Sequence, residues 1–184
     1  MIRDLIFKNR SVRKYQQDVS VSRETLVELV DLARHSASGG NRQALKFMLS
    51  WEPEKNAVIY RHIGLAGAPK EGERPAAYII ILGDTSISNQ YGVDPGIAAQ
   101  SMLLGATEKG LGGCMVGMIN RKGLHQALKI PERYEIALIV TIGKPKESFV
   151  FEKAEPASTE TRGWWDEQGV RHIPKRSLEE LIIG

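Results

Sequence analysis

The chain has 184 residues, and 25 Lys and Arg against 22 Asp and Glu give a net charge of +3. Hydrophobic residues make up 42% and charged residues 26%, which excludes a disordered chain, a collagen and a coiled coil. The length predicts one domain over 1–184. The single cysteine, Cys114, the lack of an apolar leader and the lack of an apolar run near ~20 residues predict a cytoplasmic protein without a membrane segment.

The N-terminal part predicts two helices separated by a loop. Apolar residues share one helical face over 2–9, and the polar stretch 10–17 interrupts that pattern. Ser22 is suited to cap a second helix, whose apolar residues recur at helical spacing up to Ala33. The two adjacent glycines within 36–43 then predict a turn.

The middle of the chain predicts strands around an irregular region. Residues 46–51 read as a strand, 52–75 as loops around a short helical turn, and the isoleucine-rich run 76–83 as a strand buried on both faces. Asp94 is suited to cap the next helix and Gly110 to end it at the C′ position. That helix is apolar on most sides, which predicts that it is buried.

The C-terminal third begins with predicted strands at 114–118 and 136–143. Between them, Asn120 caps a short helix that ends near Lys129. The tail over 144–172 has few aliphatic residues, and a capping-box pattern, Ser177 with Glu180, opens a final helix. Helices before and after most strands predict a layered sheet with helices on both faces.

Several common functional motifs are missing from the sequence. It has no GxGxxG after a strand and no GxSxG elbow, and its four histidines do not have metal-ligand spacing. A charge of +3, without aromatic residues interleaved among the basic ones, argues against nucleic-acid binding.

Two basic clusters are candidate anion sites. Arg10, Ser11 and Arg13 follow the first helix, and two guanidiniums beside a hydroxyl suit a phosphate. Lys175 and Arg176 precede the last helix, whose N-terminus favours negative charge. In isolation each cluster is read as solvated surface in preference to an anion site: a polar loop in the first case, a linker in the second.

Two glycine-containing turns are candidate ligand contacts. In the turn SASGGNRQ (36–43), the groups of Ser38, Asn41 and Gln43 can approach a planar polar ligand. The glycines of GLGG (110–113) precede the strand CMVGM and would let the backbone lie against a flat ring. The alternatives are an ordinary helix-to-strand connection and a plain helix end.

Together these pieces resemble the flavin-dependent nitroreductase family. The matching segments, in chain order, are KNRSVRKY (8–15), SASGGNRQ (36–43), DPGIAAQSMLLGATEKGLGGCMVG (94–117), IPERYEIALIVTIGKP (130–145) and WWDEQGVRHIPKRSLEELI (164–182). The resemblance implies an α+β three-layer sandwich with a central, mostly antiparallel sheet between helices. It also implies bound FMN and an intertwined homodimer with the flavin at the subunit interface.

The resemblance also assigns roles to residues, all of them in cofactor binding. Arg10, Ser11 and Arg13 would hold the FMN phosphate and ribityl chain, and Lys175 and Arg176 would complete the phosphate site. Three residues of the 36–43 turn would reach the flavin from the partner subunit: Ser38, Asn41 and Gln43. The backbone from Met115 through Gly117 to Met118 would lie near the reactive edge of the ring, so no residue is assigned a catalytic acid or base role.

Three features depart from the family pattern. Ala37 stands where the family has a proline, and Gln43-Ala44-Leu45 replaces its frequent Q-P-W. The region 52–75 is short compared with larger members, which often carry a substrate lid there.

The expected activity is electron transfer from NAD(P)H to a small electron-poor acceptor, nitroaromatic or quinone-like, by a ping-pong mechanism. Alternatives are another flavin reaction on the same scaffold, such as desaturation or dehalogenation, and a non-catalytic flavin-binding redox module.

Overall fold

The computed structural model describes residues 1–65, 69–156 and 158–184, which form two units, Met1–Pro145 and Lys146–Gly184. The first unit is built on a five-stranded sheet. Its strands are β1 (Tyr15–Gln16), β2 (Leu45–Ser50), β3 (Ala77–Asp84), β4 (Gly112–Val116) and β5 (Tyr134–Pro145). Strand β5 is central, since it pairs with β3 on one side and with β4 and β1 on the other, and every one of these pairs is antiparallel.

The described residues of this unit form five helices: α1 (Ile2–Lys8), α2 (Arg23–Arg34), α3 (Pro53–Tyr60), α4 (Asp94–Glu108) and α5 (Arg121–Ala127). Short 3-10 turns cover Gly39–Asn41 and Glu71–Glu73. The caps predicted at Ser22 and Asn120 are confirmed, since their side chains accept hydrogen bonds from the N–H groups of Thr25 and Gly123.

The sheet is covered by helices on both faces, as the apolar run over 76–83 predicts. Ile79 and Ile81 face a core shared with α2 and α4, whereas Tyr78, Ile80 and Leu82 face a second core with α3 and α5. Alternate residues of a strand point to opposite faces, so a strand buried on both faces is apolar along most of its length, as residues 77–82 are. The predicted three-layer α+β arrangement is confirmed.

Three local predictions differ from the structure. Residues 10–17 are predicted as a loop, but Tyr15–Gln16 pair with Pro145 and Lys144 of β5. Residues 52–75 contain an eight-residue helix, α3, rather than a short turn, and the part of this prediction over 66–68 lies outside the described residues. Val93, not Asp94, occupies the cap position of α4, because the Asp94 carboxylate bonds elsewhere.

The second unit contains a three-stranded sheet that the sequence did not predict. Strand β6 (Ser148–Lys153) pairs in parallel with β8 (Val170–Lys175), which pairs antiparallel with β7 (Trp164–Trp165). The helix α6 (Leu178–Leu181) follows, and the capping box of Ser177 with Glu180 is confirmed. That 1–184 act as a single domain stays a prediction.

Candidate functional site

The segment with Arg10, Ser11 and Arg13 runs beside β4. Ser11 forms a parallel bridge with Gly113, and the Val12 N–H donates to the Gly113 carbonyl at 2.9 Å. The buried Tyr15 hydroxyl donates to the Val12 carbonyl at 2.6 Å and lies 2.7 Å from the Thr141 hydroxyl. The structure therefore brings two of the predicted pieces, the basic segment and the glycine turn, into direct contact.

Glycines make this approach possible. A Cβ on Gly112 would lie 2.7 Å from Cγ2 of Val12, and a Cβ on Gly113 would clash with the Thr141 carbonyl oxygen. Both glycines are buried and closely packed, and their missing side chains leave room for the Val12 side chain at Gly112 and for the Thr141 backbone at Gly113. Gly117 differs: it is exposed, and no atom lies within 4 Å of the place a Cβ would take. Gly117, just after β4 ends, is therefore the glycine of this segment that a ligand can approach.

The arginines of the segment are half-buried. Arg10 donates from Nη2 to the Ile6 carbonyl at 2.7 Å, and Arg13 donates from Nη1 to the Ser11 carbonyl at 3.4 Å. Burial lowers the pKa of Arg10 from its ordinary value, because water is partly removed from the guanidinium. A partly desolvated arginine interacts strongly with an anion, since less water screens the charge.

Asn9 is a positioning residue that the sequence reasoning missed. It is buried, and its Nδ2 donates to the Leu103 carbonyl at 3.1 Å and to the Thr107 hydroxyl at 3.0 Å, both on α4. Its Oδ1 accepts from Gln100 at 3.4 Å. These bonds fix the start of the basic segment against α4. A polar residue ending an amphipathic helix is the only sequence signal, and it is a weak one.

The 38–43 turn is held by its own hydrogen bonds. Ser38 Oγ accepts from the Gln43 N–H at 3.1 Å, and Gln43 Nε2 lies 3.3 Å from Asn41 Oδ1, to which it donates. Asn41 and Gln43 have φ values of 53° and 52°, in the left-handed region that non-glycine residues rarely adopt. The Asp94 carboxylate accepts from the Gly39 N–H at 3.0 and 3.1 Å, which ties the turn to α4.

A cavity of about 270 Å³ adjoins this turn. Ser38 and Gln43 line it together with Asp94 and apolar residues of α2 and β2, including Phe47. Sites for small molecules have this mixture of apolar walls and a few polar groups. Within the first unit, the predicted site residues thus form two groups, one beside β4 and one beside this cavity.

Lys175 and Arg176 belong to the second unit, at the end of β8. Arg176 donates to the Ser158 carbonyl at 2.6 Å and lies 3.6 Å from the Glu180 carboxylate. Lys175 is exposed, with Nζ 6.0 Å from the centre of the Phe151 ring. Their meeting with Arg10 at one phosphate stays a prediction.

Over residues 1–65, 69–156 and 158–184, no group of three or more His, Cys, Asp or Glu side chains is placed to hold a metal ion. In that same part of the chain, no helix has the length and apolar character needed to cross a membrane.

The model of the nitroreductase family matches residues 6–77 and 75–144 of this chain. Among sequence relatives, YodC of Bacillus subtilis (strain 168), provisionally named an NAD(P)H nitroreductase, is 24% identical and covers 77% of this chain and 88% of that protein.

Solved structures share the fold along most of the chain. An FMN-dependent nitroreductase from Clostridium difficile R20291 is 28% identical, with a TM-score of 0.67 over 85% of this chain and 92% of that one. A nitroreductase family protein from Clostridium difficile 630 is 23% identical, with a TM-score of 0.69 over 98% of this chain and 95% of that one.

Proposed function

The chain belongs to the nitroreductase family, and from that premise we propose that it is an FMN-dependent oxidoreductase that uses NAD(P)H. Its acceptor is a small electron-poor molecule, nitroaromatic or quinone-like, and the two substrates react in turn by a ping-pong mechanism. The observation behind the proposal is the contact between the basic segment and β4, where Ser11 bridges to Gly113. That contact places guanidinium and hydroxyl groups beside a glycine-rich strand whose end is open at Gly117.

These residues fit the chemistry of FMN. A phosphate needs cations and hydroxyl donors, which the segment supplies from Arg10, Ser11 and Arg13. Lys175 and Arg176 complete the phosphate site in this proposal. A flat ring needs backbone that it can approach closely, and the exposed glycine at 117 has no neighbouring atom to block it. The FMN-dependent relative from Clostridium difficile R20291 supports the same cofactor.

Bound FMN supplies the ability to accept a hydride and to pass electrons to a second molecule. The protein's part is to bind, orient and polarise. The backbone from Met115 to Gly117 positions the reactive edge, and the arginines of the segment fix the phosphate end. Met115 is half-buried in β4 and packs on the first core, so this backbone is held rigidly.

A homodimer is part of the proposal, with Ser38, Asn41 and Gln43 reaching the flavin of the partner subunit. Apolar side chains on α1 support it, because Ile2 and Phe7 are 62% and 53% exposed. Cys114 is buried and, as the single cysteine of the sequence, forms no internal disulfide, which suits a reducing cytoplasm. A different flavin reaction on the same scaffold, or a non-catalytic redox module, is the alternative.

The spectrum of the purified protein tests the cofactor. We expect flavin absorbance in the protein as purified or after reconstitution with FMN, and we expect oxidation of NADH or NADPH when a quinone or nitroaromatic is added. Absence of bound flavin in both preparations refutes the proposal. Bound flavin without NAD(P)H oxidation by any acceptor supports the redox-module alternative.

A further inference from the structure

A second cavity lies away from the residues assigned to FMN. It has a volume of about 330 Å³ and is formed by α3, the 3-10 turn at Glu71–Glu73 and the loop before α2. Most of its wall is aromatic or apolar, with Trp51, Tyr60 and Tyr78 supplying the rings. None of the residues proposed to hold the flavin lines it.

Among the described residues that line this cavity, Arg74 is the only basic one, and its guanidinium lies over the Tyr60 ring, with 4.5 Å from Cζ to the ring centre. Its Nε is sealed from water and has no hydrogen-bond partner among residues 1–65, 69–156 and 158–184. Arg74 as a whole is half-buried, so the outer N–H groups of its guanidinium, rather than Nε, are the donors that a ligand in the cavity can reach. The acidic residue of the lining, Glu71, is exposed at the rim.

The surroundings hold Arg74 in place. Gln17 donates from Nε2 to the Arg74 carbonyl at 2.7 Å, and the Tyr60 hydroxyl donates to the Pro69 carbonyl at 3.1 Å. Asn56 is fully engaged, since it accepts from Ser50 at 2.7 Å and donates to Ala76 at 2.8 Å. The site is therefore preorganised, with one planar cation stacked on one ring.

We propose that this cavity binds a small aromatic carboxylate. The two Nη groups of an arginine present parallel N–H donors that match the two oxygens of a carboxylate. The aromatic wall suits a flat apolar body of the ligand. A single arginine is too little charge for a phosphate dianion, whereas it neutralises one carboxylate.

Titration calorimetry with 2-naphthoate tests this inference on the full chain saturated with FMN. We expect binding to the unmodified protein, weaker by at least about tenfold in Arg74→Gln, because a charged bidentate contact is lost. Arg61→Gln is the matched control. Arg61 is an exposed arginine at the end of α3, a helix that lines the cavity. It donates to the Ala57 carbonyl, so its replacement should leave 2-naphthoate binding unchanged. Neutral 2-naphthamide should also bind at least about tenfold more weakly than the acid.

Arg74→Lys keeps the positive charge and the aliphatic stem, so it provides a folded variant if Arg74→Gln melts early. It should also bind 2-naphthoate more weakly, because an ammonium lacks the planar pair of donors. Absence of binding to the unmodified protein, or equal affinity of both Arg74 variants and the unmodified protein, overturns the inference. The flavin is saturating throughout, so failure here leaves the flavin assignment untouched.

Discussion

The carboxylate of Asp94 accepts both of its hydrogen bonds from the N–H of Gly39, 55 residues earlier in the chain. Asp94 is only 8% exposed, and it opens the buried helix α4. The bond therefore anchors the turn that carries Ser38, Asn41 and Gln43 to the most buried helix of the first unit. In this way a core helix determines the position of an exposed loop with strained backbone.

Replacing Asp94 tests that anchor. Asp94→Ala should lower the free energy of unfolding by about 1.5–3 kcal/mol, because hydrogen bonds to a charged group are lost. It should also weaken FMN binding, since the turn is released. Asp94→Asn keeps one acceptor oxygen, so its loss of unfolding free energy and of FMN affinity should be smaller than in Asp94→Ala. Urea unfolding and FMN titration measure both effects, and an unchanged FMN affinity in Asp94→Ala would show that the turn is not part of the flavin site.

Two glycines near β4 should respond differently to alanine. Gly113→Ala should destabilise the fold by about 3 kcal/mol, the upper end for overpacking, because the added methyl meets the backbone of Thr141 in the central strand β5. Gly117→Ala has open space and should change stability by less than about 0.5 kcal/mol.

The same pair tests the flavin proposal. Because Gly117 lies where the ring is proposed to approach, Gly117→Ala should reduce FMN retention without loss of folding. Thermal melting and flavin absorbance after gel filtration measure the two properties. Full FMN retention by Gly117→Ala would place the ring elsewhere.

His172 should make stability depend on pH. Glu152 lies 2.5 Å from its Nδ1, and Asp166 lies 3.1 Å from its Nε2. Hydrogen bonds to these two carboxylates raise the pKa of His172, and the bond to Glu152 has the larger effect. The ring also stacks on Trp164, with centres 3.9 Å apart. A group with a raised pKa stabilises the fold fully below its unfolded value of about 6.5, and this contribution disappears as the pH rises through the folded pKa.

The melting temperature should therefore fall as the pH rises from mildly acidic to alkaline, and His172→Gln should reduce that dependence. The hydrogen bond from His172 also lowers the pKa of Asp166. The stability that ionised Asp166 contributes is therefore lost only at much lower pH, as the carboxylate is protonated. His35→Gln, on the exposed end of α2, is the control and should behave as the unmodified protein. Equal pH dependence in all three proteins would contradict the assignment.

The proposed phosphate site predicts that Arg10→Ala and Arg176→Ala each weaken FMN binding. Loss of a charge-assisted hydrogen bond of about 1.5–3 kcal/mol corresponds to a Kd about 10- to 150-fold higher. Arg23→Ala, at an exposed position in the first turn of α2, should leave Kd unchanged. Arg10 also bonds to Ile6, so its variant should be checked by thermal melting. Unchanged FMN affinity in both variants would place the phosphate elsewhere.

The aromatic pair at 164–165 shows how sequence and structure differ. The sequence predicts that both tryptophans cover a core or a dimer surface. Trp164 and Trp165 are 47% and 43% exposed within the chain, so they are not core residues, and the dimer surface stays a prediction. Within the chain, Trp164 stacks on His172 and the Arg171 guanidinium lies over Trp165. A large aromatic residue in a sequence predicts that its ring packs against another group, but the sequence does not identify that partner.

The sequence by itself determined the features that depend on neighbouring residues. The caps at Ser22, Asn120 and Ser177 and the buried strand near 76–83 follow from local hydrogen bonds and from uninterrupted apolar character. Only the tertiary structure decided the pairing of Tyr15 with Pro145, the bridge from Ser11 to Gly113 and the bond from Asp94 to Gly39. Each of these joins residues far apart in the chain, and their geometry exists only after the sheet and its helices have packed.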